Sequence, residues 1–323
     1  MVCRTIDKLM QYLRDNLLTL AKNHMKVIRN TVLLSIILLL SLQHTSMATP
    51  PVLPPVAENA DGTRNLKILS WNIYMLPRMV PRKGKRERAH AIVEELKKSD
   101  FDIIVFEEAF LPAARKIILD GLGGQYQFQY GPVNSSPNIK TNGGVWVLSK
   151  IKMNVVKTIR FKDCATWDCL ARKGAMLLEG VWNGTTFQLM GTHLQADEFQ
   201  EVRYKQMDEI YTTLLAPYRR DGVPQIVCGD MNTEAEIKER YCQMLNCFGA
   251  ENGDISGVEK CTYDGVNNEI AQSYGVKDKT TYDYILVRNN GMKMKSMKRF
   301  VSILKKGKKQ LSDHYGIVCE LNF

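Results

Sequence analysis

The chain has 323 residues, 45% of them hydrophobic and 24% charged, with a formal net charge of +10. That is the composition of an ordinary globular protein with ample length for a core, which excludes low-complexity and disordered classes. An excess of positive charge favours acidic partners, so its distribution along the chain matters.

The first fifty residues differ from the rest. "TVLLSIILLLSLQ" (31–43) is almost purely apolar, follows Lys26 and Arg29, and precedes the small residues Ser46 and Ala48. A positive stretch, an apolar core and a small-x-small site read as a signal peptide over residues 1–48, cleaved after about Ala48, so secretion is expected. The apolar run is short of the roughly 18 residues a spanning helix needs; an uncleaved anchor is the alternative. Met25 would be a natural start, since "MKVIRNTVLL" has ordinary leader proportions. Cleavage would leave 38 basic and 32 acidic residues, a net +6. "TPPVLPPVAENADGTRN" (49–65) reads as a Pro-rich linker, and the folded domain is expected over 66–323.

From Leu66 strands and helices alternate. "LKILSWNI" is a predicted strand and "GKRERAHAIVEELKKS" an amphipathic helix with Ala91, Ile92, Val93 and Leu96 on or near one face. "FDIIVFEEAF" is a buried strand and "LPAARKIILDGL" a helix closed by Gly. "GGVWVLSK", "GAMLLEGVW", "TTFQLMGTHL", "QIVCGDMN", "TYDYILVRN" and "YGIVCELNF" are further strands, with a helix over "EVRYKQMDEIYTTLLAPY". Strands this apolar are covered on one or both faces, which predicts an α/β layered sandwich of packed sheets with helices outside.

Export permits disulfides. Cys164 and Cys169 lie in one loop-like stretch, "DCATWDCLARKG", and are the preferred pair. Cys242, Cys247 and Cys261 also fall in loop-like sequence, whereas Cys228 and Cys319 sit in apolar strands as buried thiols. Residues 291–310, "GMKMKSMKRFVSILKKGKKQ", carry eight basic residues and no acid. Such a run suits a phospholipid surface or nucleic acid; a solvated loop or hairpin is the plain alternative.

The strands share one feature: apolar runs stop on side chains able to hold a metal or a phosphate. These are Asn72, Glu107 and Glu108, His193, Asp230 and Asn232, Asp283 inside a strand, and Asp313 and His314 just before one. Any one of them has a bland reading as a turn or cap residue. Recurring at strand after strand, they predict one rim with a candidate active site. Only one of Glu107 and Glu108 need act, since adjacent strand residues face opposite ways. Carboxylate and carboxamide oxygens suit a hard cation, Mg²⁺ with Ca²⁺ or Mn²⁺ as alternatives. A structural zinc, a nucleotide-binding Gly-rich loop and a serine hydrolase elbow lack their motifs. A hard metal, two His and an Asp/Asn pair suit phosphoester hydrolysis.

These residues resemble the endonuclease/exonuclease/phosphatase superfamily, in the blocks "LKILSWNIYMLP", "DIIVFEEAF", "GTHLQA", "CGDMN", "TYDYI" and "SDHYGI". "NIYMLP", "RERAHAI", "NGGVWVLSK", "DCLARKG", "GTHLQA" and "CTYDGVNNEIA" are similar to secreted bacterial sphingomyelinase C. The resemblance implies a DNase I-like four-layered sandwich, two packed mixed β-sheets flanked by helices. It also implies Mg²⁺-dependent cleavage of sphingomyelin to ceramide and phosphocholine, with Mn²⁺ or Co²⁺ as substitutes. Carried over residue by residue, Glu108 and Asn72 match the metal site, with Asp313 beside them. Glu108 is preferred over Glu107 because Ala109 and Phe110 follow it as in the family. His193 matches the first catalytic His, Asp230 and Asn232 the pair that orients water and phosphate, Asp283 the support of the catalytic His, and His314 the general base. The implied partner is a sphingomyelin-containing membrane, met by the basic stretch 291–310; no nucleic acid partner is expected, and a monomer is. Two departures stand out. The segment after "HLQA" lacks the cysteine these enzymes often carry, and their aromatic membrane hairpin is here basic. A nuclease of the same fold and a non-enzymatic lipid-binding relative are the competing readings.

Overall fold

The first strand shows how the layers arise. Along β1 (Leu66–Asn72), Leu66 and Ile68 join one buried cluster while Leu69 and Trp71 join another, because successive side chains leave opposite faces of a strand. A strand apolar on both faces must be covered on both, and every central strand here is.

The protein is described from a computed structural model, over residues 64–80, 84–135 and 141–323. The expected leader over 1–48 and most of the expected linker over 49–65 lie outside the described residues. In chain order, β1 is followed by α1 (Lys85–Leu96), β2 (Ile103–Glu107), α2 (Pro112–Leu122), β3 (Phe128–Tyr130), β4 (Trp146–Ser149), β5 (Met153–Arg160), β6 (Gly174–Trp182), β7 (Thr185–His193) and α3 (Gln200–Ile210). Then come β8 (Gln225–Asp230), α4 (Lys238–Phe248), β9 (Ile255–Ser256), β10 (Tyr263–Asp264), α5 (Glu269–Gln272), β11 (Lys279–Thr280) and β12 (Asp283–Arg288). β13 (Ser296–Ser302), β14 (Lys305–Lys306), β15 (Lys309–Gln310) and β16 (Gly316–Asn322) complete the chain.

Two mixed sheets form. One runs β3-β4-β2-β1-β16-β13-β9 and the other β12-β8-β7-β6-β5. Between them lies a cluster that includes Ile68, Val105, Leu178, Leu189, Ile226 and Ile317. Helices α1 and α2 cover the outer face of the first sheet through Ile92, Leu96, Ile118 and Leu122, packed with Leu69, Trp71, Ile104 and Phe106. Helices α3 and α4 cover the second through Met207, Ile210, Met244 and Phe248, packed with Leu177, Met190, Val227 and Leu286. Each fully buried Leu or Ile of this kind stabilises the fold by about 1.5–3 kcal/mol. The architecture is the four-layered α/β sandwich of the DNase I-like type.

The pairing sets where the chemistry goes. β1 runs parallel to β2 and β7 parallel to β8, whereas β16 is antiparallel to β1 and β12 antiparallel to β8. The C-terminal ends of the first four and the N-terminal ends of the last two therefore share one rim.

Several local expectations are corrected. Gly121 lies inside α2, and Gly123 ends it at φ −59°, so no left-handed Gly closes this helix. The third helix stops at Ile210 and continues as a π turn over Tyr211–Leu215. Cys242 and Cys247 lie on α4, not in a loop; its apolar positions Tyr241, Met244, Leu245 and Phe248 follow helical spacing. The expected Cys164–Cys169 disulfide is present. The basic stretch is not one solvated segment. Its middle is β13, hydrogen-bonded between β16 and β9. Phe300 and Leu304 pack into the α1/α2 layer, Met294, Met297 and Val301 between the sheets. Arg299 is buried and donates to the Gly253 carbonyl. The lysines of the stretch all reach solvent, Lys293, Lys295 and Lys298 along the strand and its approach as well as those of the hairpin β14–β15; of the eight basic residues Arg299 alone is buried.

Candidate active site

All eight residues expected at the site come to the shared rim. Asn72 ends β1, and its Nδ2 donates to Asp230 Oδ2 at 3.0 Å, a bond from one sheet to the other. Asp230 ends β8 beside the end of β7, in register with His193. Its Oδ2 lies 3.6 Å from His193 Nε2 and 3.8 Å from His314 Nε2. His314 Nδ1 lies 2.8 Å from Asp283 Oδ2. A carboxylate on Nδ1 fixes the tautomer and leaves Nε2 as the working nitrogen.

Three residues at this rim have left-handed backbones: Tyr74 (φ 50°), Glu108 (φ 52°) and Asn232 (φ 47°). Non-glycine residues rarely adopt this region, and such strain concentrates at functional sites. For Tyr74 and Asn232 local bonds hold it. Asn72 Oδ1 accepts from the Tyr74 N–H, Asp230 Oδ1 accepts from the Asn232 N–H, and the Asn232 carboxamide donates to the Leu194 carbonyl.

The two glutamates separate as strand geometry requires. Glu107, the last residue of β2, is fully buried and accepts from Ser70 Oγ at 2.8 Å. Burial, then the Asp283 charge, pushes its carboxyl well above the usual range. Glu108 turns out of the strand; its Oε2 is buried with no hydrogen-bond partner. Burial first, then the neighbouring Asp313 charge, pushes it up to about 8. Asp313 accepts from Ser312 Oγ at 3.1 Å and is itself raised, mainly by burial.

The histidines are tuned in opposite directions. Burial lowers the His193 pKa to about 4, helped by the Lys173 charge, so this imidazole is neutral. Burial works to lower His314 as well, but the charges of Asp283, Asp230 and Asp313 outweigh it and raise it well above the ordinary value. Asp230 stays below the usual carboxylate range; burial opposes this, and the two imidazoles and the Asn72 bond overcome it.

Sequence reasoning missed the groups behind His193. Lys173 is buried, with Nζ 2.7 Å from Asp168 Oδ2, 2.9 Å from the Leu194 carbonyl and 3.2 Å from His193 Nε2. Asp168 also accepts from the Ala196 N–H at 2.8 Å. A Lys in "DCLARKG" looks like an ordinary surface cation; only the fold reveals its partners. Gln195 is fully buried too. Its Oε1 accepts from the Ala165 N–H at 2.8 Å and its Nε2 donates to the Ala165 carbonyl at 3.3 Å. It thereby ties the disulfide turn to the end of β7. The "CTYDGVNNEIA" block supports the other histidine. Asn268 Nδ2 donates to the carbonyls of Ser312 and Asp313, and Thr262 Oγ1 accepts from the Asp283 N–H. The Tyr263 ring lies 4.8 Å from that of His314, edge to face.

A cavity of about 1340 Å³ opens beside this rim, with Glu108, Phe110, Asn142 and Lys173 in its wall. Such a volume fits a large substrate.

A sequence profile of the Endonuclease/Exonuclease/phosphatase family matches residues 69–314, from the middle of β1 to His314. The chain belongs to the endonuclease/exonuclease/phosphatase family. Within it, the chain is 31% identical over 256 residues to a Leptospira interrogans sphingomyelinase C, across 72% of this chain and 46% of that protein. It spans only 39–46% of the length of the three Leptospira sphingomyelinases it matches. The solved structure of SmcL superposes with a TM-score of 0.69 at 25% identity, over 80% of this chain and 99% of that one. A Staphylococcus aureus beta toxin solved with bound magnesium ions has a TM-score of 0.70 at 23% identity, over 79% and 99%, a likeness of fold.

In this member of the family two sets of donors at the rim could receive a cation. Atoms of Asp230, Asp283 and His314 lie within 4.8 Å of one another, but these atoms already bond to each other and to Asn72. Glu108 offers the better fit. It has a buried oxygen without a hydrogen-bond partner, beside a second carboxylate, Asp313. Oxygen donors of this kind suit a hard dication. No helix among the described residues is long and apolar enough to cross a membrane.

Proposed function

We propose that the chain is a secreted, Mg²⁺-dependent phosphodiesterase that hydrolyses sphingomyelin to ceramide and phosphocholine. The observation that carries the chemistry is the Asp283–His314 pair, with Nε2 directed at Asp230 beside the unpartnered carboxylate of Glu108. The substrate follows from the named relatives and from the groove beside the rim.

Glu108 and Asn72, with Asp313 close by, would hold the metal. A bound dication would stabilise charge growing on the phosphoryl oxygens and supply the positive charge that the acidic cluster otherwise draws from His314, lowering that imidazole's hold on its proton. His314 Nε2 takes a proton from the attacking water, with Asp283 fixing the ring and stabilising the imidazolium. Asp230, between both imidazoles, orients that water. Neutral His193 and Asn232 hydrogen-bond the equatorial oxygens, and Lys173 holds the His193 ring. Water adds to phosphorus in line as the bond to the ceramide oxygen breaks; the leaving oxygen, on the opposite side of phosphorus, takes its proton from solvent, and His314 releases the water's proton to solvent.

The test uses purified protein, sphingomyelin liposomes and Mg²⁺. Phosphocholine release that stops with a chelator and with His314→Ala is expected. Cleavage of plasmid DNA with sphingomyelin left intact would overturn the reading in favour of a nuclease, and lipid binding without turnover would favour an inactive relative.

A further inference from the structure

The cavity beside Glu108 has an outer lip that the chemistry does not use. Trp167, Met79 and Leu170 line it and are 83%, 77% and 48% exposed. Single exposed apolar side chains are ordinary, but several at one opening mark an interaction site. Of the four tryptophans, Trp71 and Trp146 are buried and Trp182 carries the Arg64 guanidinium over its ring. Trp167 alone projects into solvent.

The turn that carries Trp167 is held firmly. The Cys164–Cys169 disulfide closes it around a 3₁₀ turn, Thr166–Leu170. Gln195 grips the Ala165 backbone from the protein interior, and Asp168 is bound by Lys173 and the Ala196 N–H. A turn whose backbone is fixed in advance loses little freedom on docking.

Charge identifies the occupant. The hairpin after β13 exposes Lys305, Lys306, Lys308 and Lys309. Lys306 and Lys309 share a second cavity with Tyr74, while Leu76, Pro77 and Val80 border the Trp167 cavity. Cations and apolar lip thus flank the same segment after β1. Indole rings settle at the headgroup level of a bilayer, and ammonium groups beside them meet lipid phosphates.

We propose that the disulfide-closed turn bearing Trp167, with Leu170 and Met79 beside it, seats this protein on a phospholipid bilayer with the substrate groove opening directly behind. The proposal rests on the reading of the chain as a sphingomyelin phosphodiesterase. It assigns apolar docking to this turn and electrostatic attraction to the lysine hairpin.

The test measures binding to phosphatidylcholine/sphingomyelin vesicles by sedimentation and by tryptophan emission. Wild-type emission should shift to the blue on vesicles. Trp167→Ala should lose that shift and bind about tenfold more weakly, the size expected for one large apolar side chain; Trp167→Phe should keep most of the binding. Hydrolysis of a short-chain sphingomyelin dispersed as monomers should stay within about twofold of wild type in both variants. Unchanged vesicle binding by Trp167→Ala, or a wild-type emission that does not move, overturns the proposal. So does an equal loss on monomeric and vesicle substrate, which would make Trp167 a substrate contact. If wild type binds vesicles through Trp167 yet hydrolyses no sphingomyelin, the functional reading falls and the docking surface stands.

Discussion

Lys173→Met removes the only ammonium in contact with the His193 ring among the described residues. The lost contacts are those to Asp168 at 2.7 Å, the Leu194 carbonyl at 2.9 Å and His193 Nε2 at 3.2 Å. Met retains much of the apolar stem, so the change is mainly one of charge. Asp168 then keeps the Ala196 N–H and loses its ion partner. Removing one member of a buried pair costs about 3–5 kcal/mol. The Asp168 side chain is 19% exposed, so water reaches it and the lower end, about 3 kcal/mol, applies. The second effect falls on His193. Burial and then Lys173 hold its pKa near 4, against the pull of Asp230 and Asp168; without the ammonium it must rise. A histidine kept neutral in the fold costs stability as pH falls from 6.5 towards 4, because the unfolded chain takes a proton that the fold refuses. Lys173→Met relieves that cost, so its destabilisation should be smaller at pH 5 than at pH 7. Urea unfolding at both pH values and NMR titration of the His193 ring measure this. Adding Asp168→Asn should recover about 1–3 kcal/mol of the loss. A loss independent of pH, additive with Asp168→Asn, would refute the charge argument and leave Lys173 as packing.

Three further outcomes follow from the same rim. Asp283→Asn should lower kcat by about 10²–10⁴-fold with KM little changed; steady-state kinetics on sphingomyelin micelles check it, and a change confined to KM would remove Asp283 from the proton path. Glu108, held near 8 by burial and Asp313, must lose its proton to bind Mg²⁺. Affinity should therefore climb by up to about tenfold per pH unit until that point, and Glu108→Gln should flatten the climb; calorimetric titration that finds affinity independent of pH contradicts this. The same carboxyl keeps its proton in the fold from the unfolded value of 4.5 up to about 8. Metal-free protein should accordingly lose stability as pH rises through that window, and excess Mg²⁺ should restore most at its alkaline end, as thermal unfolding would show.

What the sequence discloses and what it hides divide along one line, the range of the interaction. Apolar runs that stop on Asn72, His193 or Asp230 are local patterns, and parallel pairing brings such ends together; Asp283 opens β12, which joins the same rim by antiparallel pairing. In the basic stretch charge density masks a strand: Met294, Met297, Phe300 and Val301 pack into two cores while the lysines dominate the composition. Lys173 was invisible for a different reason. Its partners lie 5, 20 and 21 residues away, and nothing in "ARKG" signals a buried ammonium. Gln195 joins both cases. In the sequence it belongs to "HLQA", a mark of resemblance without a physical reason. In the fold it grips the Ala165 backbone thirty residues away through both its carboxamide atoms. The strand that delivers His193 and the turn that carries Trp167 are therefore positioned by one side chain, so a change at Gln195 should disturb rim and lip together, while one at Trp167 disturbs the lip alone.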